Sequence, residues 1–238
     1  MILQDKIAVV TGASSGIGAE FSKILVAKGC TVYGLARRES KLAQVKNELG
    51  GLFIPIVADI THKEMLTQFV ENTFSENHSP DILINNAGMA KFAPVDELSI
   101  EDWENMVNVN LSGIFYITRL IVPFMKANKN VNHIVNIASI AGLISNPDLS
   151  GYNATKHGVR GFSNALMKEL RNFGIKVTCF YPGSIATEFF SKDGGTTHSN
   201  MMQGKDVAKV MANVLETPDN FLIDEIVMRP LNPKPPPK

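Results

Sequence analysis

The chain has 238 residues, enough to bury a full hydrophobic core yet within the size of one α/β domain, which we expect to span residues 1–238. Its 23 basic and 23 acidic side chains balance, so the composition favours neither nucleic acid nor an anionic membrane as a partner. We find no signal-peptide pattern and no apolar stretch that looks long enough to span a bilayer, and therefore expect neither export nor a membrane span.

Short β-branched runs alternate with longer amphipathic segments along the chain, as in βαβ units around a parallel sheet. We predict seven strands, near Lys6–Val10, Thr31–Ala36, Leu52–Val57, Ile82–Asn85, His133–Ala138, Lys176–Tyr181 and Glu225–Met228. Helical patterns separate them, one with Ser99 as its predicted N-cap. The predicted fold is an α/β, doubly wound, Rossmann-type fold, with a seven-stranded, mostly parallel sheet and helices on both faces.

The segment Thr11–Gly18 follows the first predicted strand and opens the first helical pattern. Its glycines permit a tight turn and a close approach of the backbone to a pyrophosphate at a helix N-terminus. The spacing G-x-x-x-G-x-G differs from the G-x-G-x-x-G dinucleotide fingerprint, so the argument depends on the strand-to-helix context. A structural turn is the alternative, but we interpret the segment as a dinucleotide site.

The second predicted strand ends in Ala36-Arg37-Arg38, where an NAD site would place an acid on the ribose 2′-hydroxyl. An arginine suits a 2′-phosphate, because its planar donors make charge-assisted, bidentate contacts. We therefore predict NADP(H) as the cofactor, chiefly through Arg37 and secondarily through Arg38. The alternative is a solvated helix start that binds nothing.

Tyr152 and Lys156 lie four residues apart at the start of a helical pattern, so they share one helix face. A lysine ammonium near a phenol stabilises the phenolate and makes it a better acid-base group near neutral pH. Alone, this pair is more often a surface accident, and its interpretation depends on the motifs around it.

Two segments near the C-terminal end of the chain and the two cysteines carry further predictions. Residues 188–204 lack periodicity and directly follow a strand end, which predicts a substrate lid rather than a slack surface loop. The proline-rich residues 230–238 predict a tail or an arm on a neighbouring subunit. Cys30 and Cys179 stand beside β-branched runs, which predicts buried thiols in a reducing, cytoplasmic compartment.

Taken together, these motifs resemble the short-chain dehydrogenase/reductase family in its single-domain, NADP-preferring form. The resemblance covers nearly the whole chain and rests on motifs in the family's order: the Thr11–Gly18 turn, Asn85-Asn86-Ala87-Gly88, Asn110, Ser139, Tyr152-Asn153-Ala154-Thr155-Lys156, and Pro182-Gly183 with Thr187. Ser15 lacks the basic side chain that some NADP-preferring members carry there, which leaves the cofactor preference resting on Arg37.

The resemblance implies a role for each motif. Tyr152 would donate a proton to the substrate oxygen, Ser139 would hydrogen-bond that oxygen, Lys156 would hold the nicotinamide ribose and lower the pKa of the tyrosine, and Asn110 would anchor a relay water. Asp59 would meet the adenine. The implied cofactor-binding set is Gly12, Ser14, Ser15, Gly16, Ile17, Gly18, Arg37, Arg38, Asp59, Ile60, Asn86, Ala87, Gly88, Tyr152, Lys156, Pro182, Gly183, Ile185 and Thr187. No residue spacing indicates a metal site.

We therefore predict an NADP-dependent oxidoreductase that interconverts a small-molecule carbonyl and an alcohol. A β-ketoacyl-carrier-protein reductase and a non-catalytic NADP-binding regulator remain alternatives. The predicted substrate pocket is mostly apolar, formed by Met89, Phe92, Leu143, Phe189 and Phe190. The resemblance also implies a homotetramer or homodimer packed through the helical segments at Asp102–Lys126 and Tyr152–Phe173.

Overall fold

A computed structural model describes residues 1–128, 130–189 and 197–236 of the chain. Its strands are β1 (Ile7–Thr11), β2 (Thr31–Ala36), β3 (Phe53–Val57), β4 (Ile82–Asn85), β5 (Asn132–Ile137), β6 (Ile175–Pro182) and β7 (Glu225–Met228). All seven pair in parallel, in the order β3-β2-β1-β4-β5-β6-β7. The predicted Rossmann-type sheet is confirmed, and the first and last residues of all seven predicted strands agree with the observed bounds to within one residue.

Helices cover both faces of this sheet. They are α1 (Gly16–Ala27), α2 (Glu39–Leu49), α3 (Lys63–Thr73), α4 (Ile100–Val107), α5 (Gly113–Ala127), α6 (Ser150–Leu170) and α7 (Gly204–Leu215). Val10 packs in the core cluster that contains buried residues of α1, α2 and α7, whereas its neighbour Val9 packs in the cluster that contains residues of α3, α5 and α6. Successive side chains of β1 thus enter opposite cores, which explains why the strand is a continuous apolar run.

Helices α4 and α5 form one continuous helical run through a π-helical turn at Asn108–Ser112. The predicted cap is confirmed, because the Ser99 side chain accepts a hydrogen bond from the backbone of Asp102. By length and composition, Ile100–Ala127 could cross a membrane, which corrects the expectation that no segment was long enough. Its buried side chains, among them Ile117 and Ile121, pack in one cluster with residues of the sheet.

The chain after β6 is described in part. Residues 190–196 of the predicted lid, and residues 237–238 of the predicted tail, lie outside the described residues. The described tail, 230–236, contains neither helix nor strand, as its prolines require. Cys30 and Cys179 are buried free thiols, as predicted.

A buried polar network ties the central strands to the helices behind them. The Asn85 side-chain amide donates to Asn136 Oδ1 over 2.8 Å and to Thr118 Oγ1 over 3.0 Å. The Asn136 amide in turn donates to Ser163 Oγ over 2.9 Å. Because these bonds lie in a low-dielectric interior, removing one partner leaves other polar groups unpaired at a cost in stability. The network holds the ends of β4 and β5 in place beside the cleft described next.

Replacing Asn136 with alanine is expected to lower the free energy of unfolding by about 1 to 3 kcal/mol, because Asn85 and Ser163 each lose a buried partner. The measurement is urea denaturation followed by circular dichroism. Asn47→Ala, on the exposed face of α2, is the matched control and should change stability by less than about 0.5 kcal/mol. Equal effects of the two substitutions would show that the network contributes nothing.

Candidate active site

A cleft of about 650 Å³ opens at the carboxyl ends of the strands, beside the point between β1 and β4 where the strand order reverses. Most of the predicted site residues line it together: Gly12, Ser14, Ser15, Gly16, Ile17, Arg37, Arg38, Asp59, Ile60, Asn86, Ala87, Gly88, Ser139, Tyr152, Lys156, Pro182, Gly183, Ile185 and Thr187. Gly18 and Asn110 are absent from the lining but contact residues that belong to it, Gly12 and Met89. One cavity therefore joins motifs that are spread over the chain.

The glycine turn after β1 approaches the chain after β4 too closely for side chains. Gly12 has φ +69°, and a Cβ there would lie 2.8 Å from Asn86 Nδ2 and 2.9 Å from the Ala87 Cα. Gly16, with φ +56°, begins α1, and a Cβ on Gly18 would collide with the Gly12 carbonyl oxygen. The turn therefore needs glycine both for its backbone angles and for its contacts.

Hydrogen bonds lock this turn to the Asn86-Ala87 segment. Thr11 Oγ1 accepts from the backbone N–H groups of Asn86 and Ala87, each over 3.0 Å. The Asn86 side-chain amide donates to the carbonyl of Thr11 over 3.0 Å. The Asn86 side chain is thus used in holding the wall of the cleft, in addition to lining it.

Two arginines stand at the end of β2 with different partners. Arg38 Nη2 donates to Ser15 Oγ over 2.5 Å and to Ser14 Oγ over 3.2 Å, so its guanidinium lies against the glycine turn. The Arg37 side chain is 70% exposed, and its Nη1 lies 3.7 Å from Asp59 Oδ2. The sequence pattern favoured Arg37 over Arg38 as the phosphate ligand, whereas these contacts connect Arg38 more closely with the expected phosphate site.

The first turns of α6 place Tyr152 and Lys156 in the cleft, with Lys156 Nζ 5.7 Å from the centre of the tyrosine ring. Both side chains are largely buried, and Lys156 Nζ donates to the carbonyl of Ile137 at the end of β5 over 2.9 Å. A Cβ on Gly88 would lie 3.6 Å from this nitrogen, so the glycine keeps the space beside the ammonium open. The helix face that the four-residue spacing predicted does carry both groups into one cavity.

Asn110 lies in the π-helical turn, behind the cleft. Its side chain pairs with both backbone groups of Met89, accepting from the N–H and donating to the carbonyl over 2.8 Å each. It also donates to Thr155 Oγ1 over 3.0 Å, and Thr155 donates to the carbonyl of Tyr152 over 2.9 Å. π-Helical turns are frequent at functional sites, and this one fastens the first turn of α6 to the segment after β4. The role in holding a relay water stays a prediction.

Another part of the cleft lining combines the Ser139 hydroxyl with apolar side chains. Ser139, just after β5, accepts from the Ala141 backbone over 3.2 Å and lines the cleft. The Phe189 ring lies 6.1 Å from the Tyr152 ring, centre to centre. Met89 and Phe92 also line the cleft, as predicted.

Two other predicted pocket residues have a different outcome. Leu143 is absent from the described lining, so this prediction was wrong. It ends the short helical turn Ile140–Gly142 and packs against the core cluster that contains Val159 and Tyr181. Phe190 lies outside the described residues.

No motif indicated Asn146 or Ser184, which also line the cleft, and Glu188 was predicted only as the first residue of the lid. Glu188 directly follows the motif residue Thr187, but nothing in the sequence indicates that its carboxylate meets cations some 150 positions earlier.

Burial lowers the pKa of the Lys156 ammonium. Desolvation lowers its pKa from 10.5 to about 8, and within the described part of the chain no carboxylate forms an ion pair with it. The group thus holds its proton near neutral pH but releases it more readily than a surface lysine does. Across the described residues, no group of three or more His, Cys, Asp or Glu side chains could hold a metal ion.

The fold and the cleft are those of a dinucleotide-binding α/β protein, and Tyr152 and Lys156 line the cleft together. The sequence profile of the short chain dehydrogenase family matches residues 6–197, and the chain belongs to that family. An uncharacterized oxidoreductase of Staphylococcus saprophyticus is 36% identical over 233 residues, which covers 96% of this chain and 99% of the relative.

Two solved structures extend the comparison. A serine dehydrogenase complexed with NADP⁺ superposes with a TM-score of 0.86 at 30% identity, covering 93% of this chain and 94% of that one. A 3-ketoacyl-(acyl-carrier-protein) reductase from Brucella melitensis, complexed with NADH, has a TM-score of 0.85 at 27% identity, covering 94% and 98%. The predicted family membership and fold are confirmed, and the chain is an oxidoreductase of this family.

The buried ammonium predicts a pH-dependent stability. Because the pKa of Lys156 is lowered in the folded state, the unfolded chain binds more protons there, and stability rises as the pH increases from about 8 to about 10.5. Between pH 7 and pH 10, the wild type should gain roughly 2 kcal/mol of unfolding free energy relative to Lys156→Met. Urea denaturation at both pH values measures this change.

Subtracting the unfolding free energy of Lys156→Met from that of the wild type at each pH cancels the contributions of the other groups that titrate in this range. Lys168→Met, at an exposed position of the same helix, is the control and should show a difference that does not vary with pH. A flat profile for Lys156→Met as well would mean that the lysine is not desolvated in the folded protein.

Proposed function

We propose that this chain is an NADP(H)-dependent oxidoreductase that interconverts a carbonyl and an alcohol, with Tyr152 as the proton donor and acceptor. The observation that carries the proposal is the buried pairing of Tyr152 with Lys156, 5.7 Å from nitrogen to ring centre, in the cleft that the glycine turn also lines. A binding protein without turnover has no need to hold an uncompensated ammonium beside a phenol in its interior.

The residues present suit a dinucleotide. Backbone without side chains at Gly12 and Gly16 lets a pyrophosphate approach the N-terminus of α1, where unpaired N–H groups and the helix dipole favour an anion. Gly88 leaves room beside Lys156 Nζ, where the nicotinamide ribose would lie. Binding would involve the cofactor set named above, with Ile185 and Thr187 beside the nicotinamide and Asp59 beside the adenine.

The chemistry divides between cofactor and chain. When bound, the nicotinamide supplies or accepts the hydride. Tyr152 would give its hydroxyl proton to the substrate oxygen during reduction and take it back during oxidation. Ser139 would donate a hydrogen bond to the same oxygen and orient it, and the Lys156 ammonium would stabilise the phenolate after transfer. Asn110 would hold the backbone of Met89 and the side chain of Thr155, which lie beside this centre.

We infer the preference for NADP(H) from the two arginines at the end of β2. Arg38 lies against Ser14 and Ser15, so a 2′-phosphate there would meet a guanidinium and two hydroxyls together. Arg37 lies on the same rim and would offer a second, more exposed cation. The NADP⁺ in the serine dehydrogenase complex supports this preference, and the NADH in the Brucella reductase complex shows that the fold itself admits either cofactor.

For the substrate, we propose a neutral ketone or aldehyde with an apolar body. Arg37, Arg38 and Lys156 are the cations among the described residues of the cleft lining, and each has a place in cofactor binding or catalysis. Met89, Phe92 and Phe189 form an apolar wall near Tyr152. The likeness to the Brucella enzyme keeps a β-ketoacyl thioester as the second candidate, with the same reacting centre.

We further propose a cytoplasmic homo-oligomer. Trp103 and Phe115, on the Ile100–Ala127 helical run, expose 42% and 47% of their surfaces, and a second copy of the chain would cover them. The same covering would account for the membrane-like composition of this run. Analytical ultracentrifugation of the purified chain measures its state.

The central test is oxidation of NADPH with a panel of ketones, aldehydes and β-keto thioesters, comparing the wild type with Tyr152→Phe. Loss of the phenolic hydroxyl is expected to lower kcat roughly 100- to 10,000-fold, because the variant keeps the ring but has no proton to transfer. The Kd for NADPH should change little. Tyr116→Phe removes a hydroxyl from a tyrosine on α5 that does not line the cleft, and it should leave kcat unchanged.

The outcomes separate the candidates. Turnover of simple ketones that disappears in Tyr152→Phe supports the proposal, and turnover of thioesters alone favours the acyl-chain reductase. If Tyr152→Phe retains full activity, Tyr152 is not the proton donor.

The cofactor preference has its own test. Arg38→Ala is expected to raise the Kd for NADPH about 10- to 100-fold, since a charge-assisted contact to phosphate is lost, and to leave the Kd for NADH nearly unchanged. Arg37→Ala should have a smaller effect in the same direction, because its side chain is more exposed. Fluorescence titration of each cofactor measures both constants.

Arg171→Ala is the charge-matched control, since this exposed arginine lies beyond the end of α6 and outside the cleft lining. Equal losses for NADPH and NADH in Arg38→Ala would mean that Arg38 supports the glycine turn and does not read the 2′-phosphate.

A further inference from the structure

The carboxylate of Glu188 occupies the rim of the cleft where the cofactor phosphate is proposed to bind. Its Oε2 accepts from Arg38 Nη1 over 3.3 Å, and its Oε1 lies 3.5 Å from Lys41 Nζ. Arg38 immediately precedes α2, and Lys41 lies in the first turn of that helix. Glu188 itself belongs to the segment after β6, so this contact bridges two sides of the cleft.

The surroundings are those of an anion site that an internal group fills. The hydrogen bond from Arg38 and the charge of Lys41 lower the pKa of the Glu188 carboxyl, so it is ionised at neutral pH. The N-terminal end of α2 adds the positive end of a helix dipole. A phosphate would seek the same partners for the same reasons.

Both terminal nitrogens of the Arg38 guanidinium already have partners, and Glu188 takes one of the N–H groups of Nη1. Its Nη2 donates to Ser14 and Ser15, and its Nη1 donates to Glu188. A phosphate bound by both terminal nitrogens needs the Nη1 position, and a dianion next to the carboxylate would be repelled at close range.

We propose that Glu188 competes with the 2′-phosphate of NADP(H) for Arg38 and Lys41, and must leave Arg38 when the phosphorylated cofactor binds. This inference rests on the proposed NADP preference. Glu188 is then a specificity-determining residue. It weakens the binding of NADP(H) but not of NAD(H), and so reduces the difference in affinity between the two cofactors. Phe189, the next residue, packs against Tyr152, so the competing group is covalently next to a wall of the reacting centre.

The test uses isothermal titration calorimetry on the full chain freed of bound nucleotide. The probes are adenosine 2′,5′-bisphosphate, which carries the 2′-phosphate, and adenosine 5′-monophosphate, which lacks it. Glu188→Gln keeps the size of the side chain and removes its charge. It is expected to lower the Kd for the bisphosphate about 3- to 10-fold, in line with the modest strength of exposed ion pairs, and to change the Kd for the monophosphate less than about 2-fold.

Glu39→Gln is the matched control, because Glu39 is an exposed carboxylate in the first turn of α2 that forms no ion pair within the described residues. It removes the same charge from the same region, and should alter the Kd for the bisphosphate less than about 2-fold. Circular dichroism confirms that both variants are folded.

Four other results would overturn the inference. Equal tightening in Glu188→Gln and Glu39→Gln would reduce the effect to general charge. Weaker binding of the bisphosphate to Glu188→Gln would make the carboxylate a strap over the bound cofactor. If the wild type binds the monophosphate as tightly as the bisphosphate, the NADP proposal fails and the competition fails with it. If the wild type prefers the bisphosphate and Glu188→Gln changes nothing, the competition alone fails.

Discussion

The close contact between the turn after β1 and the turn after β4 is the constraint on which the cleft depends. The sheet reverses its order at these two strands, so their carboxyl ends diverge and leave a crevice. The crevice stays open at its base because Gly12 lies against Asn86 and Ala87 with no side chain between them. Thr11 then fastens both turns through one hydroxyl. A larger residue at position 12 would push apart the two turns at the base of the cleft.

The buried ammonium of Lys156 is the second constraint, and it works against stability. A charge in the interior without a carboxylate partner is unfavourable, and the fall in its pKa reflects that cost. The contact to the Ile137 carbonyl offsets only part of it. Proteins tolerate such groups mostly at functional sites, where the strain serves chemistry. The stability of the polar network behind β4 and β5 helps the fold to bear this arrangement.

Sequence patterns predicted this protein well where chain-local rules decide the outcome. Strand positions follow from β-branched runs buried on both faces, and Tyr152 and Lys156 share a face because helix geometry places residues four apart together. The patterns failed where direction or distant partners decide. Leu143 follows a short helical turn, and its side chain packs against a core cluster and is absent from the described cleft lining. Likewise, which of two adjacent arginines meets Ser14 and Ser15 depends on the path of the chain into α2.

The segment after β6 shows why such long-range pairings matter. Thr187 lies close to Gly16, since a Cβ added to Gly16 would be 3.6 Å from the Cβ of Thr187. Glu188 forms a hydrogen bond with Arg38, and the Phe189 ring packs against the Tyr152 ring. Three consecutive residues therefore touch the glycine turn, the proposed 2′-phosphate site and the proposed proton donor Tyr152. Their position is held by backbone hydrogen bonds to Met202, which accepts from Ala186 over 2.9 Å and donates to Ser184 over 3.1 Å. Because one short stretch contacts all three subsites, an ion pair at one end of the cleft and the shape of the substrate wall at the other cannot be set independently.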